Sequence, residues 1–99
     1  MIQIIWEFTI RPASRAEFER HYGSEGTWAQ LFRRHPEYRG STLSRDTENP
    51  NRYLTVDTWN SLEGYRVFAS QYGEEYHRLD QKCAQLTERE LCHGYYEQL

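Results

Sequence analysis

No run of apolar residues in this sequence approaches the roughly 20 needed to cross a bilayer as a helix. The amino terminus has no basic stretch leading into a long hydrophobic one, so export is not expected. Basic charge is also thin, with 12 lysines and arginines against 15 aspartates and glutamates. The densest basic spot is only Arg33-Arg34. Nucleic acid demands a basic face to neutralise phosphates, and neither it nor a membrane is an expected partner. Cysteine is limited to Cys83 and Cys92, too few for a disulfide framework, and without an export signal both are expected as free thiols in a cytoplasmic protein. His21, His35, His77 and His93 show no H-x-H or HExxH spacing, so no metal is expected. No glycine-rich phosphate loop follows a strand.

What the chain has in quantity is rings. Aromatic residues make up 15% of its 99 positions while all hydrophobic residues together reach only 37%. Ninety-nine residues have room for one core, so a single domain over 1–99 is expected. Its large rings must supply much of the buried area.

Residues 2–11 alternate: Ile2, Ile4, Trp6, Phe8 and Ile10 fall on one face, Gln3, Ile5, Glu7 and Thr9 on the other, as in a strand with one dry side. Pro12 ends it, and Ser14 with Glu17 has the form of a capping box. The helix that follows carries Phe18 and Tyr22, breaks near Gly23 and Gly26, and resumes from about Thr27 with Trp28, Leu31, Phe32 and His35 on one stripe. Pro36 stops it. Residues 38–47 read as a weaker strand, 48–51 as a turn, and 52–59 as the return strand, with Tyr53, Thr55, Asp57 and Trp59 on one face and Leu54 and Val56 on the other. Asn60 with Glu63 predicts the next helix start. Tyr65, Phe68 and Tyr72 form its stripe, Gly73 a bend, and Tyr76, Leu79, Cys83 and Leu86 continue the seam. A last strand runs from about Thr87 to Tyr96. The order strand, helix, strand, strand, helix, strand predicts an α+β, ferredoxin-like β-α-β-β-α-β domain: a four-stranded antiparallel sheet with its helices on one face.

The stretch GTWAQLFRRHPEYRGSTLSRDTENPNRYLTVDTWNSLEGYRVF resembles the antibiotic biosynthesis monooxygenase (ABM) domain family, and the likeness extends over nearly the whole chain. Its most telling part is the return strand ending in Trp59-Asn60-Ser61, then a helix with an aromatic six residues after the tryptophan. The resemblance implies a homodimeric α/β barrel in which two sheets face each other. The polar face of the first strand would be covered by the partner, and Glu7 and Asp57 would need partners such as Arg11 or Arg45.

It also implies a function: cofactor-independent oxygenation of an electron-rich aromatic, such as a polyketide-type phenol, in a pocket between sheet and helices. A deprotonated phenol is itself a donor of electrons to oxygen, so the protein need only orient it, favour its anion and exclude water. By resemblance Trp59 and Tyr65 match the family's catalytic tryptophan and tyrosine in order and spacing, and Arg78 is a candidate for the arginine. The expected asparagine is missing from the return strand, where Thr55 or Val56 stands. Trp6, Phe8, Trp28, Phe32, Phe68, Tyr72 and His77 are the expected substrate-binding residues. Haem-degrading relatives would instead need an asparagine where Phe8 stands and a tryptophan where Phe68 stands; only His77 lies near the place of the axial ligand. The missing asparagine leaves open a non-catalytic ligand-binding or interaction module on the same fold. Trp59 itself reads first as packing, with an aromatic cleft beside it.

Overall fold

Alternation decides the first strand and the side on which the core forms. The computed structural model describes all 99 residues. Strand β1 (Ile2–Ile10) buries Ile4, Phe8 and Ile10, while its odd-numbered side chains stay partly exposed. A turn of 3₁₀ helix at Pro12–Ser14 leads into α1 (Arg15–Tyr22), and α2 (Thr27–Phe32) follows. Two strands, β2 (Tyr38–Arg45) and β3 (Arg52–Trp59), form the hairpin; α3 (Leu62–Gln71) and α4 (Gly73–Cys83) form the second helical layer, and β4 (Thr87–Glu97) closes the chain. The sheet is antiparallel throughout, in the order β2-β3-β1-β4. This is the expected ferredoxin-like α+β architecture. No helix is long and apolar enough to cross a membrane.

The core is a layer of rings between the sheet and the helices. Phe8 of β1 lies 5.4 Å from Phe18 and 4.8 Å from Tyr22 of α1, centroid to centroid. On β3, Tyr53 meets Phe18 at 4.9 Å. Trp59 is fully buried, ringed by Phe32, Tyr38, Tyr65 and Phe68 at 5.1–5.7 Å. Such pairs each add about 0.5–1.5 kcal/mol beyond their buried area, which is how a chain poor in aliphatic residues obtains a core.

The helix starts differ from those expected. Ser14 makes no side-chain cap, because the 3₁₀ turn already occupies the entry to α1. Helix α3 is capped not by Asn60 but by Ser61, whose hydroxyl accepts from the Gly64 amide at 3.0 Å. Asn60 and Ser61 both donate instead to the Glu37 carboxylate, at 2.8 and 3.0 Å. His35 lies beyond the end of α2, in the turn before β2, yet its ring still rests 6.0 Å from that of Trp59.

Register corrects the expected partners of two acids. Asp57 sits opposite Ile4 in β1 and Ser41 in β2, so it points under the helices with Thr55 and Trp59 rather than across the outer face. Glu7 does lie on the outer face, and there it meets His93 at 3.0 Å. Arg11 donates to the Gln85 carbonyl and Arg45 approaches Glu19, leaving neither acid an arginine.

Candidate functional site

Between the sheet and the helices the ring layer leaves one hollow. Its floor is Trp6 and Phe8 of β1 with Thr55 and Asp57 of β3 and Ser41 of β2. Its walls are Tyr22 of α1, Trp28 and Phe32 of α2, and Tyr76 of α4. Asp80 and Glu90 are exposed and stand at the mouth. Counted with that mouth, the empty space is about 510 Å³, but only about 50 Å³ of it is wide enough for the centre of a water molecule. That interior volume is room for a few waters. A ring-sized ligand would therefore have to displace Tyr76 or Trp28, which meet edge to face at 4.9 Å.

The polar part of the floor depends on an irregularity in β2. Pairing with β3 shifts between Tyr38 and Gly40, where the backbone takes φ +130°, a value open to glycine but strained for other residues. The extra residue turns Ser41 to the helix side, opposite Asp57. Ser41 donates to Asp57 Oδ1 at 2.5 Å, and the Tyr38 hydroxyl lies 2.6 Å from Ser41 Oγ. Since the single Ser41 proton is directed at Asp57, Tyr38 is the donor to Ser41. The outcome is a short relay, Tyr38 to Ser41 to Asp57, that fixes one carboxylate oxygen.

Every titratable group resolved at this site is held towards its protonated form, chiefly because water has been removed from around it. The Asp57 carboxyl is pushed up to about 6, the Ser41 hydrogen bond opposing that rise only in part. Glu90 is raised by burial, Thr87 partly offsetting it. Loss of solvent also raises the phenols of Tyr22, Tyr38 and Tyr76, and, outside the hollow beside Trp59, takes Tyr65 to about 12. No lysine, arginine or histidine lines the hollow.

Of the residues expected from sequence, the structure gathers Trp6, Phe8, Trp28 and Phe32 around the hollow. It places the others elsewhere. Trp59 is sealed in the core with its indole N–H unpartnered. Phe68 is fully buried against Trp59 at 5.1 Å. Tyr65 lies between Trp59 and Tyr95, at 5.3 and 6.0 Å. Tyr72 stacks on Phe68, and the Arg34 guanidinium lies over its ring, 5.8 Å from the centroid. His77 is exposed on α4, and Arg78 is held in water by Glu74 one turn earlier, at 3.0 Å. Sequence reasoning passed over Ser41, Thr55, Asp57, Asp80 and Glu90. One signal was available: Thr55 and Asp57 are polar residues alternating with Tyr53 and Trp59 on the buried face of a strand.

Residues 1–78 match the family described as antibiotic biosynthesis monooxygenase. No curated protein matches the chain significantly. Similar solved structures include a variant of SnoaB, a cofactor-independent oxygenase from Streptomyces nogalater, 24% identical with a TM-score of 0.76, over 98% of this chain and 91% of that one. A candidate antibiotic biosynthesis monooxygenase from Bordetella bronchiseptica is 22% identical with a TM-score of 0.75, over 99% and 96% of the two chains. One from Deinococcus radiodurans is 15% identical with a TM-score of 0.78, over 99% and 92%. These structures speak to the fold, and the family pattern, matched over most of the length, speaks to kinship: the chain belongs to the antibiotic biosynthesis monooxygenase family.

Proposed function

We propose that residues 1–99 form one ABM-type domain that acts as a cofactor-independent monooxygenase on a small electron-rich aromatic, a polyketide-type phenol or its anthrone form. The observation that carries this reading is the aromatic-walled hollow between sheet and helices, with a polar floor at its inner end. Trp6, Phe8, Trp28 and Phe32 would grip a flat substrate by stacking and exclude water, and the polar floor would orient its oxygen. Such a substrate brings its own reducing power, so dioxygen is the sole co-reactant. Kinship with the family, and a fold shared with SnoaB, support the assignment.

The protein would work as a homodimer. The outer sheet face, away from the helices, leaves Leu54, Leu91 and Tyr96 exposed by 37%, 40% and 50%, with Ile5 and Val56 partly exposed beside them. A second copy laid across this face would cover an apolar patch that a lone subunit leaves in water.

Oxygen-electrode assays with dithranol (a dihydroxyanthrone), free of flavin and metal, test the activity. Uptake above the uncatalysed rate is expected; its absence, with saturable dithranol binding, favours a non-catalytic binding module. That second reading draws on a specific observation, the placement of Arg78 outside the hollow, which deprives a bound phenolate of a cation.

A further inference from the structure

We propose that Asp57 is the catalytic base of this hollow, taking a proton from the substrate and returning it after oxygen has added. The proposal rests on the monooxygenase reading and names the group that performs its first step. An ABM-type oxygenation needs the substrate as its anion, and the obvious way to favour an anion is a neighbouring cation. The hollow has none. A carboxylate at the site solves the same problem differently: a neutral substrate gives its proton to Asp57, and the total charge of the enclosed space does not change.

The geometry singles out this residue. Asp57 is partly buried on the floor, and its Oδ1 is fixed by Ser41, itself held by Tyr38. Its Oδ2 has no hydrogen-bond partner in the chain, yet it is not among the polar atoms sealed from solvent. One oxygen is thus anchored and the other free to receive a proton. The surrounding titratable groups are Tyr22 from α1, Tyr38 from β2, Tyr65 from α3, Tyr76 and Asp80 from α4, and Glu90 from β4. The phenols are held protonated at neutral pH, and the two other carboxylates are exposed at the mouth. Only Asp57 is both interior and raised to about 6, where a base is still ionised at neutral pH but binds a proton more tightly than an ordinary carboxylate.

The step balances. With an anthrone, a C–H bond of the activated methylene breaks, its proton goes to Asp57 Oδ2, and its electron pair stays on the substrate. The carbanion passes one electron to dioxygen; the radical and superoxide combine, forming the C–O bond of a peroxide anion. Asp57 returns its proton to the outer oxygen. Loss of water then breaks the O–O bond and the remaining C–H bond, leaving a carbonyl. The methylene is oxidised to C=O, and dioxygen is reduced to that carbonyl oxygen and one water.

Proton removal can be watched without oxidation. Under argon in D₂O, a base at this position should catalyse exchange of the dithranol methylene hydrogens, followed by proton NMR above the uncatalysed rate. In the wild type, exchange is expected to rise with pH through about 6. Asp57→Asn, with folding checked by near-ultraviolet circular dichroism, should slow it by about 100-fold or more. Ser41→Ala keeps the carboxylate but removes a hydrogen bond to its ionised form, so its exchange profile should move to higher pH, and it serves should Asp57→Asn not fold. Exchange undiminished in Asp57→Asn, a Ser41→Ala profile that does not move, or no catalysed exchange in the wild type would each overturn the proposal. Exchange that depends on Asp57, in a protein that consumes no oxygen with dithranol, would uphold the base and reject the oxygenase reading.

Discussion

Trp59 and Asp57 occupy the same face of the same strand, two residues apart, and the structure gives them opposite surroundings. Trp59 has no exposed surface and no partner for its N–H. Trp59→Ala should cost about 3–5 kcal/mol, from lost transfer energy and the cavity left behind. Trp59→Phe should cost markedly less, because it also removes a buried donor that has no acceptor. Urea denaturation of the two variants checks this, and oxygen turnover per folded molecule should be unchanged in Trp59→Phe. Asp57 is held above the usual carboxylate value of 3.8, at about 6. The folded state therefore binds this proton more tightly than the unfolded chain. Stability contributed by the proton is present below about pH 4 and is lost as pH rises through about 6. Asp57→Asn should accordingly be more stable than the wild type at pH 7, by up to about 3 kcal/mol at about 1.4 kcal/mol per tenfold change in proton affinity, and nearly equal to it at pH 4. The difference between the two proteins is the measure, because His21, held neutral by burial, drives the wild-type curve the other way. A buried carboxyl that costs the fold stability, kept for the proton transfer proposed above, would be a trade between activity and stability.

At the scale of the element, the start of α3 is clamped by a residue from the turn before β2. Glu37 receives both the Asn60 amide and the Ser61 hydroxyl, and its carboxylate is lowered by those bonds. It lies so close that a Cβ on Gly64 would come within 2.7–2.8 Å of its side chain. Gly64→Ala alone should lower the melting temperature by forcing Glu37 off the helix end. In a Glu37→Gly background, which removes the Cβ as well as the carboxylate arm that a Cβ at position 64 would strike, the same change should instead stabilise, by about 1 kcal/mol of helix propensity. A thermal double-mutant cycle reads the reversal of sign. The sequence signalled a helix start here and named Asn60 for it; the actual arrangement depends on a residue 23 positions away from Asn60, which local spacing cannot report.

For the whole molecule, the exposed apolar residues of the outer sheet face are the test of the homodimer. Val56→Glu places a charge on β3, one of the two inner strands of that face, and Leu91→Lys places one on β4. Each should convert the sedimenting species from dimer to monomer while the far-ultraviolet circular dichroism stays that of the folded chain, since neither side chain belongs to the ring core. A wild type that sediments as one subunit at high concentration would reject the dimer. The order of the elements and the buried side of β1 were legible in advance because period-two and period-3.6 patterns are local. Ile4, Phe8 and Ile10 had to be covered by something, and the helices between the strands were long enough to do it.

The sequence by itself determined the α+β order, the buried face of β1, the alternation of β3 and the aromatic character of the core, because each follows from residue type and spacing along a few turns of chain. It also carried the family likeness. Only the tertiary structure decided which of those rings enclose a hollow and which fill the core. Trp59 and Trp28 both read as large rings beside a cleft, yet Trp59 is surrounded on every side while Trp28 forms a wall. The relay to Asp57 was equally hidden. It requires a bulge at Gly40 to turn Ser41 inward, and burial to raise the carboxyl, and both arise from long-range pairing and desolvation.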